Sequence, residues 1–148
     1  MPRRPEGLFE EKRTRSIIGA FYKVYNTLGC GFLESVYAAA LERELRLRGH
    51  EVAREVLVRV IYKGEPVAWQ RVDMLVDQIV VVENKTTSTL TALGAQQLFN
   101  YLKATQLEVG LLFEFTGRPK FYRLFAPNDR SLRGDQSNQP FPPNRSPD

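Results

Sequence analysis

The stretch Arg71-Val72-Asp73-Met74-Leu75-Val76-Asp77-Gln78-Ile79-Val80-Val81-Val82-Glu83-Asn84-Lys85 limits the possible folds more than any other part of the chain. Two apolar runs joined at Asp77-Gln78 read as a tight hairpin whose inward residues belong to a core. Charges seldom enter such runs unless something answers them, yet Asp73, Glu83 and Lys85 stand inside these. Side chains alternate along a strand, so Trp69, Arg71 and Asp73 are expected on one face of the first strand, and Val81, Glu83 and Lys85 on one face of the second. Two readings of the charges compete. A structural ion pair between Lys85 and Glu83 or Asp73 is common and stabilises little. A divalent-cation site would use the same oxygens, because hard cations such as magnesium take carboxylate ligands held on rigid strands.

Upstream, Val52 to Tyr62 alternates, with Val56, Val58 and Val60 on one side and Leu57, Arg59 and Ile61 on the other. Lys63-Gly64-Glu65-Pro66 is a turn, Val67 to Val76 returns, and Ile79 to Lys85 follows, so these strands form a three-strand antiparallel meander. Ahead of the meander lie two helical patterns. The first sets in near Leu8 and carries Ile17, Ile18, Phe21, Val24, Tyr25 and Leu28 as one stripe. Leu28-Gly29-Cys30-Gly31 breaks it. The second runs from near Phe32 to Arg48 with Phe32, Leu33, Val36, Tyr37, Ala40, Leu41 and Leu45 as its expected buried side. Glu34 falls in its first turn, where an acid simply answers the helix dipole unless a neighbouring site also uses it.

After the meander, Thr86-Thr87-Ser88-Thr89 is a polar joint suited to capping a helix over Thr91 to Ala104. That helix is expected to bury Leu93, Leu98, Phe99 and Leu102, and it carries Gln97 and Tyr101 one turn apart. Glu108 to Phe115 and Lys120 to Phe125 read as two more strands. The order predicts a mixed α+β fold with helices packed on a central mixed sheet.

A chain of 148 residues holds one ordinary core, so a single domain over 8–126 is expected, with a flexible lead-in at 1–7 and a disordered tail at 127–148. No apolar run has the length of a membrane span and Met1 to Gly7 lacks the apolar core of a secretory signal, which predicts a cytoplasmic protein away from membranes. Cys30 is the only cysteine and His50 the only histidine, which argues against a zinc cluster and against histidine-based triad chemistry. Any catalysis must then rest on carboxylates, lysine, tyrosine and metal. The net charge of +4 is compatible with a polyanionic partner, for which Arg54, Arg59, Lys103 and Lys120 are candidate phosphate contacts.

Gly31-Phe32-Leu33-Glu34-Ser35-Val36-Tyr37 resembles the GxxExxY signature of a family of small bacterial proteins, and the similarity continues through Arg71-Val72-Asp73, Glu83-Asn84-Lys85 and Gln97 to Leu102. That family is assigned to the PD-(D/E)XK nuclease superfamily, so the resemblance implies a restriction-endonuclease-like core over about Ile17 to Phe125. It further implies a metal-dependent nuclease acting on DNA or RNA. In that picture Asp73 and Glu83 hold magnesium or manganese with help from Glu34 and the backbone carbonyl of Asn84, Lys85 serves the attacking water, and Gln97 and Tyr101 orient phosphate or the lysine. The chain departs from the family at Tyr25 and at Gly94-Ala95, where members often carry histidine and a His-Glu pair. An inactive nuclease-fold module binding nucleic acid or protein, or a homodimeric or partner-dependent subunit, are the alternatives.

Overall fold

The computed structural model describes residues 10–88, 91–105 and 107–127. The expected lead-in at 1–7 lies outside the described residues, as does all of the expected tail except Pro127. The elements are α1 (Glu11–Leu28), α2 (Glu34–Leu47), β1 (Val52–Tyr62), β2 (Glu65–Val76), β3 (Val80–Lys85), α3 (Thr91–Ala104), β4 (Val109–Glu114) and β5 (Lys120–Phe125). Their strands form one five-stranded sheet in the order β1-β2-β3-β4-β5. Neighbours are antiparallel except β3 and β4, which are parallel because α3 carries the chain across between them. The expected mixed sheet with its antiparallel meander is present.

Helices cover both faces. On one side α1 and α2 bring Ile17, Phe21, Tyr37 and Leu41 against Met74, Val82 and Phe113. Phe21 stacks on Phe113 with centroids 4.4 Å apart, and Tyr37 stacks on Phe115 at 4.3 Å. Such pairs stabilise by about 0.5–1.5 kcal/mol beyond their buried area. On the other side Leu98 and Leu102 of α3 meet Val72, Leu75, Val81 and Leu112. Gly110 of β4 permits this close approach, since a Cβ there would stand 3.0 Å from Leu98 Cγ. No helix among the described residues is long and apolar enough to cross a membrane.

Four local expectations are corrected. The second helix starts at Glu34 and not near Phe32, because Gly31 (φ 106°) and an extended Leu33 (φ −64°, ψ 151°) keep the chain turning. Helical register from Glu34 then directs Tyr37, Ala38, Leu41 and Leu45 inward, leaving Phe32, Leu33 and Val36 exposed where burial was expected. Leu93 is exposed too, since five residues before Leu98 places it roughly 140° around the helix from the buried stripe. Finally, β2 begins at Glu65 and pairs with β3 only through Met74, Leu75 and Val76, so much of β1 and β2 extends as a two-stranded ribbon.

At the root of that ribbon the alternation of faces fails. The β1–β2 ladder skips the Glu55/Asp73 position, where Glu55 takes φ 51°. Leu75 and Val72, three residues apart, both enter the cluster under α3, so the ribbon turns over between them. Trp69 and Arg71 consequently do not share a face with Asp73, contrary to simple strand periodicity.

Candidate active site

The β2–β3 ladder stops at Met74↔Val82, one step short of Asp73 and Glu83. Side chains replace the missing backbone bonds there. The N–H of Asp73 donates to Glu83 Oε1 at 3.2 Å, and the N–H of Asn84 donates to Asp73 Oδ2 at 2.8 Å. Each carboxylate is therefore fixed by the other strand's backbone, and both occupy the gap where the strands diverge. The N–H and C=O of one strand residue point to the same edge, so the carbonyl of Asn84 is aimed into that gap as well. Its side chain takes no part: buried, its amide nitrogen and oxygen have no hydrogen-bond partner among the described residues.

Electrostatics mark the same place. Burial and the negative charge of Asp73 push the Glu83 carboxyl up to about 8, while the Asp73 N–H and Lys85 pull the other way. Partial desolvation and then Asp73 also raise the Glu34 carboxyl, which Lys85 lowers. Glu34, the exposed first residue of α2, thus shares one electrostatic environment with Asp73 and Lys85. Three acids gather around one ammonium, an anionic excess that a divalent cation would neutralise.

The other expected residues are placed less centrally. Lys85 lies opposite Glu114 in the parallel ladder, and its Cε would stand 3.9 Å from a Cβ at Gly94 of α3. Gln97 is exposed, and Tyr101 Oη donates to Gln70 Oε1 at 3.3 Å, tying α3 to the ribbon and not to the acids. Arg54 faces Glu42 at 3.3 Å, and Lys103 lies over Phe99.

Among the described residues no three His, Cys, Asp or Glu side chains form a metal-holding group by themselves. The donor set still fits magnesium, which is usually held by one or two carboxylates while waters and substrate phosphate complete its shell. The crowded, hard-oxygen pair Asp73 and Glu83 would be those carboxylates, and the Asn84 carbonyl would be a third oxygen on rigid backbone.

A second polar assembly escaped the sequence reading. His50 Nδ1 donates to Asp77 Oδ2 at 2.7 Å, and for the neutral ring Ser16 Oγ donates to His50 Nε2 at 2.7 Å. Asp77 also accepts from Arg13 Nε at 2.9 Å and from the N–H of Glu51 at 2.8 Å. The order Ser-His-Asp is that of a nucleophilic triad. Yet Ser16 stands inside α1, where backbone N–H groups are engaged along the helix and offer no oxyanion hole. The assembly instead clamps α1 to the β2–β3 turn. Asp77 (φ 53°) and Gln78 (φ 58°) both take left-handed backbone in that turn, a conformation unfavourable outside glycine that the clamp offsets. A polar residue in a turn and a lone histidine at a helix end were the only sequence signals.

A family model described as the PD-(D/E)XK nuclease superfamily matches residues 11–124. Among solved structures, the crystal structure of SSO0001 is 22% identical with a TM-score of 0.47, the match covering 84% of this chain and 63% of that one. An alkaline exonuclease (LHK-Exo) from Laribacter hongkongensis is 14% identical with a TM-score of 0.41, over 82% of this chain and 72% of that one. No curated protein sequence matches.

Proposed function

The chain belongs to the PD-(D/E)XK nuclease superfamily, and from that premise we propose that it hydrolyses phosphodiester bonds of nucleic acid with magnesium or manganese at Asp73 and Glu83. One observation carries this reading: two carboxylates locked across diverging strands by reciprocal bonds to backbone N–H groups, with Glu83 pushed up to about 8 by burial and by the charge of Asp73. A bound divalent ion supplies charge to the scissile phosphate and lowers the pKa of a water.

The protein's own groups do the rest. Asp73, Glu83 and the Asn84 carbonyl hold the ion, and Glu34 at the rim adds a further oxygen or orients water. Lys85 places an ammonium beside the reacting phosphate, offsets charge that develops there, and holds the attacking water. Gln97 and Tyr101 lie along α3 beyond this centre, so their part is to meet phosphate of the bound strand. Membership of the GxxExxY group, a cytoplasmic setting and a functional unit over 8–126 belong to the same proposal.

A second reading, a nucleic-acid-binding module without turnover, draws on Tyr101 being engaged by Gln70 and on Gly94 standing beside Lys85 where relatives of the GxxExxY type carry histidine. The test is cleavage of labelled single- and double-stranded DNA and RNA in magnesium, manganese and chelator. Metal-dependent cleavage that Glu83→Ala and Lys85→Ala each reduce by on the order of 10²–10³-fold is expected. Binding without cleavage on every substrate and metal would establish the second reading instead.

A further inference from the structure

We propose that the β1–β2 ribbon is a docking arm for single-stranded nucleic acid, with the Trp69 indole as a base-stacking platform and Arg59 and Arg71 as phosphate contacts. The proposal rests on the nucleic-acid reading above and adds to it the form of the substrate and where it is held.

The ribbon is the part of the sheet that the core does not explain. Pairing with β3 ends at Met74, while β1 and β2 continue to Tyr62 and Glu65. A two-stranded ribbon buries little of its own surface. One of its faces is nevertheless accounted for: Val58 and Val72 pack under α3, and Gln70 accepts from Tyr101. Alternation beyond the turnover at Glu55 puts Leu57, Arg59, Trp69 and Arg71 on the opposite face. There Arg59 stands directly across from Trp69, and Leu57 across from Arg71.

That face has a definite chemistry. Trp69 is 48% exposed, and the Arg59 guanidinium carbon lies 6.0 Å from its ring centroid. Arg71 is exposed and meets the exposed Glu55 at 3.9 Å. Toward the tip the combination repeats, with exposed Tyr62 and Lys63 Nζ 5.4 Å from its ring. From Val56 to Val72 the ribbon carries Arg59, Lys63 and Arg71 against the single acid Glu65.

Aromatic faces interleaved with cations are what an unpaired strand uses, because its bases stack on rings while its phosphates meet guanidinium or ammonium groups. Bases inside a duplex already stack on each other and have no free face for the indole. A second copy of the chain fits poorly, since a two-fold contact through this face would bring Arg59 and Arg71 against their own equivalents. The acid-rich centre makes the cationic arm useful as well: phosphate repelled by Glu34, Asp73 and Glu83 gains a foothold on the ribbon that extends the strand carrying Asp73.

Trp69 is the only tryptophan, so its fluorescence reports on this face alone. The experiment titrates the full chain, in chelator, with oligo-dT of about 15 nucleotides and with a duplex of equal length. Expected is saturable quenching by oligo-dT, stronger than by duplex and weakened by salt. Anisotropy of labelled oligo-dT should show Trp69→Leu binding roughly tenfold more weakly while Trp69→Phe keeps most of the affinity. Arg59→Gln should lower the salt slope by about one. Oligo-dT binding with unchanged Trp69 fluorescence and unchanged affinity in Trp69→Leu overturns the arm, as does fluorescence that responds to protein concentration alone. Cleavage is scored separately, in magnesium without chelator, with the same protein variants and oligonucleotides. Trp69-dependent binding with no cleavage supports the arm while removing the nuclease reading. Cleavage together with Trp69-independent binding removes the arm alone.

Discussion

Asp73, on β2, and Asp77, in the turn that follows it, flank the short pairing of β2 with β3, and the fold treats their charges in opposite ways. Asp77 receives Arg13, His50 and the Glu51 N–H. Burial works against its ionised form, but these donors more than offset it and hold its carboxyl below the usual range. Asp73 receives one backbone N–H and faces Glu83, whose carboxyl it helps to raise. A carboxylate recruited for stability collects donors until its charge is answered. One left facing another acid carries an electrostatic cost that a bound cation would relieve. Position in the sheet explains the difference: the turn lies beside α1 and the α2–β1 junction, which bring donors, whereas the diverging end of the strands meets the first turn of α2, which brings Glu34.

Paired substitutions break or sharpen this contrast most strongly. Asp73→Asn should lower metal-dependent cleavage by on the order of 10²–10³-fold. In chelator the same change should leave the fold as stable as before or more so, because the amide oxygen still accepts from Asn84 N–H while repulsion with Glu83 disappears. Asp77→Asn should do the reverse, costing about 2–3 kcal/mol in urea unfolding through weakened bonds to charged donors, with cleavage per folded molecule unchanged. Equal effects of the two substitutions on stability would show that the acids are not divided in this way.

How much of this was legible in the sequence follows from which forces acted locally. Alternation and turn residues fixed the strands of the meander, and the acids of Asp73 and Glu83 meet as expected because directly opposed residues share a face. The expectation for Trp69, Arg71 and Asp73 failed because Glu55 adopts φ 51° and the ribbon turns over, an event without a residue signature such as glycine. Phe32 and Leu33 were misplaced by an apolar pattern that runs across a glycine corner, where helical register had not yet begun. The Asp77 clamp was invisible because Ser16, His50 and Asp77 are brought together by tertiary packing alone.

pH separates the two ends more gently. Asp77 is depressed below its ordinary 3.8, so its contribution is present above that value and is lost as pH falls through the lower folded-state value. Glu83 is raised from 4.5 to about 8, so its contribution is complete below 4.5 and disappears as pH rises toward 8. Urea unfolding in chelator should therefore show stability declining between these values by at most about 1.4 kcal/mol per pH unit. Glu83→Gln should flatten that alkaline limb, and Asp77→Asn should flatten only the acid limb. A wild-type alkaline slope that persists in Glu83→Gln would assign it to other groups.

The smallest effect concerns Ser16, and it tests whether the clamp is structural despite its triad order. A nucleophilic serine needs a base, an oxyanion hole and access. Here the base is present at 2.7 Å, but the hydroxyl projects from the interior of α1 and the His50 side chain is only 11% exposed. Arg48 donates to the Ser16 carbonyl at 3.3 Å, which fixes this backbone further and leaves the guanidinium directed at a helix oxygen. Ser16→Ala should accordingly cost about 1 kcal/mol, the worth of one partly buried hydrogen bond. Nuclease activity should be unaltered, and a fluorophosphonate probe should leave Ser16 unlabelled in the wild-type protein. Labelling that Ser16→Ala and His50→Ala both abolish would mean that the donor-rich end of the hairpin is built for chemistry and not for stability alone.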